Sequence, residues 1–413
     1  YIILTCSTIM AIVRPFKAVR PKPELAVKIC ELPYDVVSTA EARDVALKNP
    51  YSFFRVSKPE IEFPDTTNPY LPEVYNKARE NFLKMLVKGW LIQDSKPSFY
   101  IYRLISGNHI QSGIAALASC EDYINNIIKK HELTQPEKEE DRMMHIDTLN
   151  AQTGTVFLVY NPVAAIDEFA QKITATQPSI DFTASDGVRH SSWVISDDEQ
   201  IKFLGTEFSK LDSIYIADGH HRAAAGVRVY KKRQGAGQSG GLLSVLFAKH
   251  QVKILPYNRV LKDLNGNDKA SLFKKLSEVS IIKKTNNPVP DRKGVFCLYI
   301  DREWYRAEFK EDILKLGEAV DRLDASLIQR YVLEPIFGIT NPRTDKRIQY
   351  IGGVKGTEEL ERLVNEGMAI CAFSMFPTTV DELTAVSDSG KIMPPKSTWF
   401  EPKLRDAMFC HLI

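Results

Sequence analysis

One run, Asp218-Gly219-His220-His221-Arg222, gathers a carboxylate, two imidazoles and a guanidinium around a glycine. It follows the apolar, β-branched Ser213-Ile-Tyr-Ile-Ala and leads into Ala-Ala-Ala-Gly226, so it reads as strand, tight turn and helix. A helix start carries N–H groups without intrahelical partners and the positive end of the backbone dipole, and so favours anions. The arginine fork and the imidazoles add donors suited to phosphate or carboxylate oxygens. The blander reading makes Asp218 a helix cap and Arg222 the partner of a surface acid. Two adjacent histidines, in a chain holding eight, favour the functional one.

Other candidates are scattered along the chain. His131-Glu132 stands before Thr134-Gln-Pro, outside the charged helical run 137–142. It is not the zinc-protease H-E-x-x-H, because position 135 is Gln. A base or orienting role is open to this pair. Arg142 reads equally as part of a solvated charged face or as a second oxygen clamp. Asp35, in the loop after Leu32-Pro33-Tyr34, is either an ordinary turn aspartate or a contact to an amine or a metal-bound water. Near the end, Met393-Pro-Pro-Lys396-Ser-Thr398-Trp399-Phe-Glu-Pro-Lys403 has the makeup of a loop that closes over ligands. Lys396 is its candidate phosphate contact, and Thr398 and Trp399 its candidate substrate contacts.

The elements that must position these groups alternate. Ser38 can cap a helix over 39–47, and 72–91 has apolar residues at helical spacing. Residues 98–105 and 109–118 form a hairpin around Gly107-Asn108. A strand over 155–160, a helix over 164–175, a turn over 186–190, a strand over 192–196 and a strand from Leu242 complete the first part. Gly235 to Gly241 reads as a flexible linker. The second half looks like support. No phosphate-loop G-x-x-x-x-G-K-[ST] or dinucleotide G-x-G-x-x-G occurs.

The 413 residues, 44% hydrophobic and 26% charged, suit a globular protein of two or three domains or of one large elaborated α/β unit. With 54 basic against 52 acidic residues, the net charge of +2 gives no broad footprint for nucleic acid. The six cysteines lie apart with no C-x-x-C pair, which fits a reducing cytosol and a cytoplasmic protein. Residues 1–9 are apolar but too short to span a bilayer, and read as a non-native or upstream extension before Met10. No membrane partner is expected, and a homodimer is only the base-rate oligomer.

Asp218-Gly-His-His-Arg222, His131-Glu132 and the Pro394 to Lys403 tail together resemble the DUF1015 family, from Met10 onward. That family is similar to the ParB/sulfiredoxin fold and to the free L-serine kinases built on it, whose phosphate turn also reads Asp-Gly-His-His-Arg and whose catalytic glutamate follows a histidine. The resemblance implies an α/β (α+β) fold: a mixed sheet with helices, with a ParB/sulfiredoxin-like catalytic core and large insertions over 10–255. Residues 256–413 are then an α/β region covering the site. It implies phosphorylation of free L-serine to O-phosphoserine. Glu132 would take the hydroxyl proton, and Gly219, His220, His221 and Arg222 would hold phosphate, with Arg142 and Lys396 as further clamps. Asp218 would orient a histidine or reach Mg²⁺, and Asp35, His131, Thr398 and Trp399 would face the acceptor. Pyrophosphate is the preferred donor, since no adenine signature is present; ADP or ATP and the reverse reaction are the alternatives. A ParB-like nucleic-acid-binding module is the rival from another class. Sulfiredoxin-like chemistry would need a cysteine beside 218–222 or 131–132, and none is there.

Overall fold

The computed structural model describes residues 10–413, so the reading of 1–9 as an extension lies outside the described residues. The chain divides into two compact units, 1–252 with 402–413, and 253–401. The boundary expected near 255 therefore falls slightly earlier, and the last residues return to the first unit instead of ending the second.

The first unit is a mixed α+β structure around a nine-stranded sheet. Its strands are β1 (Val13–Arg14), β2 (Phe99–Ser106), β3 (His109–Ser119), β4 (Ile128–Lys129), β5 (Val156–Tyr160), β6 (Ile180–Thr183), β7 (Arg189–Ile195), β8 (Ile214–Asp218) and β9 (Gly241–Ala248). They lie in the order β4-β8-β5-β9-β3-β2-β7-β6, with β1 also on β3. The β4–β8 and β5–β9 pairs are parallel and the rest antiparallel. Val-Phe-Leu-Val-Tyr of β5 and Gly-Leu-Leu-Ser-Val-Leu-Phe-Ala of β9 are buried at every position. Runs of this kind, apolar but for Ser244, belong to strands covered on both faces, and these two lie inside the sheet.

Its main helices are α1 (Thr39–Lys48), α2 (Pro72–Val87), α3 (Pro136–Leu149), α4 (Ala164–Thr174), α5 (Asp198–Phe208) and α6 (His220–Lys232). Ser38 caps α1 as expected, accepting from the Glu41 amide in a full capping box. The helix expected to reach residue 91 stops at Val87, and Leu91–Gln93 pairs with Val19–Pro21. Arg189 and His190, expected in a turn, already belong to β7. Residues 235–241 form a bonded turn instead of a loose linker. Gly235 donates to Tyr230, Gln238 accepts from His411, and Gly241 opens β9.

Small residues let α6 sit close to the sheet: Ala223, Ala224, Ala225 and Gly226 are all buried, and a Cβ at Gly226 would lie 2.6 Å from Leu242. Helix α3 is tied to α6 by Lys232–Asp147 at 2.7 Å and Arg233–Asp147 at 2.8 Å. The C-terminal return pairs Val19 with Cys410 and Gln152 with His411. Met408, Phe409 and Cys410 there are wholly buried.

The second unit holds a six-stranded antiparallel sheet, in the order 280–284, 303–309, 295–300, 371–375, 257–261 and 348–352. A core including Phe296, Phe309, Phe337 and Phe373 packs on it. Among the described residues no helix is long and apolar enough to cross a membrane.

Candidate functional site

The site is built by one pairing. Strand β4 runs parallel to β8 with Ile128 opposite Ile214 and Lys129 opposite Tyr215. Continuing that register brings His131-Glu132 alongside the end of β8, where Asp218-Gly219 begins the turn. A register shift between Ile216 and Asp218 against β5 interrupts the ladder there, and bulges of this type re-aim side chains at the ends of strands. Gly219 then takes φ +90°, a conformation costly for other residues, and its missing Cβ leaves room for the Arg222 guanidinium, which would lie 3.2 Å away. The Ala223 amide donates to the Gly219 carbonyl at 3.0 Å and opens α6.

Around this turn the polar groups interlock. Asp218 accepts from the Gly219 amide at 2.9 Å and from Lys403 Nζ at 3.1 Å. Burial opposes its charge, but Lys403 and Arg222 outweigh burial and hold the carboxyl well below the usual carboxylate range. Arg222 is only 8% exposed, and its Nη1 donates to the Thr155 carbonyl. Its Nη2 stands 3.5 Å from Asp35 and 3.9 Å from Asp218, while Nε and Nη2 lack hydrogen-bond partners. These are spare donors on a fully charged fork. Burial works against that charge too, but Asp35 and Asp218 raise the pKa.

Both histidines of the turn are held neutral. The His220 ring is buried, with Nε2 accepting from the His131 amide at 3.4 Å and Nδ1 3.9 Å from Glu132. His221 Nε2 accepts from the Gln135 amide at 3.0 Å. Burial lowers both pKa values, with His131 adding to the effect at His220 and Lys138 at His221. They therefore serve as neutral donors and acceptors. The His131 ring packs edge-on to His220, centroids 4.4 Å apart, and burial holds it down to about 4.

Of the expected residues, Asp35, His131, Glu132, Asp218, Gly219, His220, His221 and Arg222 are thus gathered in the first unit. Arg142 pairs with Asp141 at 2.7 Å, lies 4.0 Å over the Tyr34 ring, and shares a small cavity with Arg222, Gly154 and Asp406. Lys396, Thr398 and Trp399 belong to the second unit. There Lys396 lies 5.3 Å over the Tyr257 ring, and Trp399 packs edge-on to Tyr257 and donates to Glu401 at 2.9 Å.

Sequence reading missed Lys403, Asp406 and the Thr153-Gly154-Thr155 turn. Lys403 closes the tail motif but carries no mark of its partner. Asp406 is buried, and that burial lifts its carboxyl to about 7 despite Arg222 and Arg142. Gly154 separates the two, since a Cβ there would lie 3.2 Å from both Arg222 Cδ and Asp406 Oδ1. The expected Mg²⁺ ligand fits poorly. Mg²⁺ asks for oxygens in near-octahedral array, and the Asp218 carboxylate is already neutralised by Lys403 and Arg222.

These features define a mixed α+β protein whose helix start, flanked by a carboxylate and neutral imidazoles, is equipped to handle an anion. The chain belongs to the DUF1015 family, described as a protein of unknown function, whose model matches residues 13–326. No curated protein matches it. Among solved structures it is similar to a free serine kinase in complex with AMP, at 15% identity and a TM-score of 0.36, covering 69% of this chain and 86% of that one. It is also similar to a conserved hypothetical protein from Pyrococcus furiosus, at 14% identity and 0.35, covering 73% and 96%. A third is SbnI with C-terminal truncation from Staphylococcus aureus, at 12% and 0.37, covering 71% and 85%. Overlaps this loose transfer no role to any residue, and the side chains must carry the reading.

Proposed function

We propose that the chain is a phosphotransferase that moves a phosphoryl group from a phosphoanhydride to the hydroxyl of free L-serine. The observation that carries the reading is the meeting of Glu132 with the start of α6, 3.9 Å from His220, although the two residues are far apart in sequence. Phosphoryl transfer asks a protein mainly for positioning and charge stabilisation, with one group to accept the hydroxyl proton.

Glu132, half-exposed, takes that proton. The serine oxygen forms its bond to the transferred phosphorus as the bond to the bridging donor oxygen breaks, and the electron pair leaves with the departing phosphate. The unpartnered N–H groups at the start of α6 and the spare donors of Arg222 face the phosphate oxygens. Asp35 faces the acceptor's ammonium group. Mg²⁺ enters as part of the donor, bound to its phosphates, and not as a resident ion. Pyrophosphate is the preferred donor, with ADP or ATP as alternatives.

The test is to incubate the protein with L-serine, Mg²⁺ and, separately, pyrophosphate, ADP and ATP, and to follow O-phosphoserine by mass spectrometry. Product with one donor, reduced roughly 10²–10⁴-fold in Glu132→Gln, is the expected result. No product with any donor, or an unimpaired Glu132→Gln, overturns the reading.

A further inference from the structure

We propose that His131, Glu132 and His220 bind a divalent transition metal of the zinc class. Their ligand atoms all lie within 4.8 Å of one another. Ligands sharing a tetrahedral Zn²⁺ at bond lengths of about 2.1 Å stand roughly 3.4 Å apart, so a modest contraction closes the site. That contraction takes an inward swing of the half-exposed Glu132 side chain and small tilts of the two buried rings, which are 2% and 4% exposed.

An independent feature points the same way. His131 Nδ1 is buried without any hydrogen-bond partner, which is an expensive state for an imidazole nitrogen. An unprotonated Nδ1 in that state has its lone pair free for a metal ion. His220 turns Nδ1 toward Glu132. Coordination there places its ring proton on Nε2, which costs the stretched 3.4 Å bond from the His131 amide and turns the two N–H groups toward each other. Two imidazoles and one carboxylate suit zinc, cobalt or nickel, and do not suit Mg²⁺.

The site shares Glu132 with the phosphoryl-transfer reading, so on that reading metal loading and transfer exclude each other. Binding itself is measured without donor or acceptor and stands apart from that reading. Metal-stripped full-length protein is titrated with Co²⁺ while the visible ligand-field bands are recorded, and Zn²⁺ and excess Mg²⁺ are then added as competitors. One Co²⁺ per chain is expected, displaced by Zn²⁺ and not by Mg²⁺. Affinity should fall at least ~10-fold in Glu132→Gln and His131→Ala and stay unchanged in His250→Ala. Circular dichroism checks that each variant folds. Absence of the bands, displacement by Mg²⁺, or full affinity in the folded Glu132→Gln protein overturns the proposal.

Discussion

Asp218 is a largely buried carboxylate, 32% exposed, with two cations near it, and its behaviour is decided by Lys403. In Lys403→Met the 3.1 Å bond disappears and Arg222 alone opposes the charge. Charge-assisted bonds contribute about 1.5–3 kcal/mol, and the partial exposure of Asp218 brings the expected loss to ~1–2 kcal/mol in urea unfolding. A depressed folded-state pKa stabilises above the ordinary carboxylate value and ceases to do so as pH falls through the lowered one. The difference between wild type and variant should therefore persist from neutral pH down to about 4 and shrink only in stronger acid. A difference already gone at neutral pH would remove Lys403 from this role.

Asp406 behaves in the opposite sense. Its carboxyl is lifted to about 7 by burial, so the folded chain binds a proton that the unfolded chain has released. Stability then falls as pH rises from the unfolded carboxylate value, about 4, to about 7, and levels off above. Asp406→Asn should lack that slope and gain on the wild type across this window. Parallel stability curves for the two proteins would show that Asp406 is ionised when folded.

At the level of elements, the β8 to α6 turn is the part most exposed to a small change. Gly219→Ala places a Cβ 3.2 Å from the Arg222 guanidinium at φ +90°. Strain of that kind costs about 1–3 kcal/mol, and Arg222 must shift to admit the methyl group. A lower melting temperature together with reduced phosphoryl transfer is expected from calorimetry and the product assay. An unaffected variant would mean that the turn can relax into another conformation. Much of this turn was legible in the chain, because an apolar β-branched run ending at Asp-Gly and followed by alanines has few other solutions. The bulge beside it was not legible, since it arises from how β8 meets β5.

Across the molecule, the closing residues 402–413 matter more than their length suggests. They bring Lys403 to Asp218 and Asp406 to the Arg222 cavity, pair with Val19 and Gln152, and bury Met408, Phe409 and Cys410. A chain ending at residue 401 should lose the cooperative unfolding transition of the first unit and sediment as aggregate. Recovery of a soluble chain with the wild-type transition would contradict this account.

Local order decided what the sequence alone determined: the Asp-Gly-His-His-Arg turn, the hairpin and the α1 cap. Those features depend on neighbours a few residues apart, where backbone preference and hydrophobic periodicity act directly. Only the tertiary structure decided which distant groups meet. His131-Glu132 reaches the turn because β4 pairs in parallel with β8, and Lys403 and Asp406 reach it because the tail returns to the first unit. It also decided that the paired histidines are neutral and that Asp218 has its counter-charge, since burial and opposite charge act through space and leave no mark on spacing along the chain.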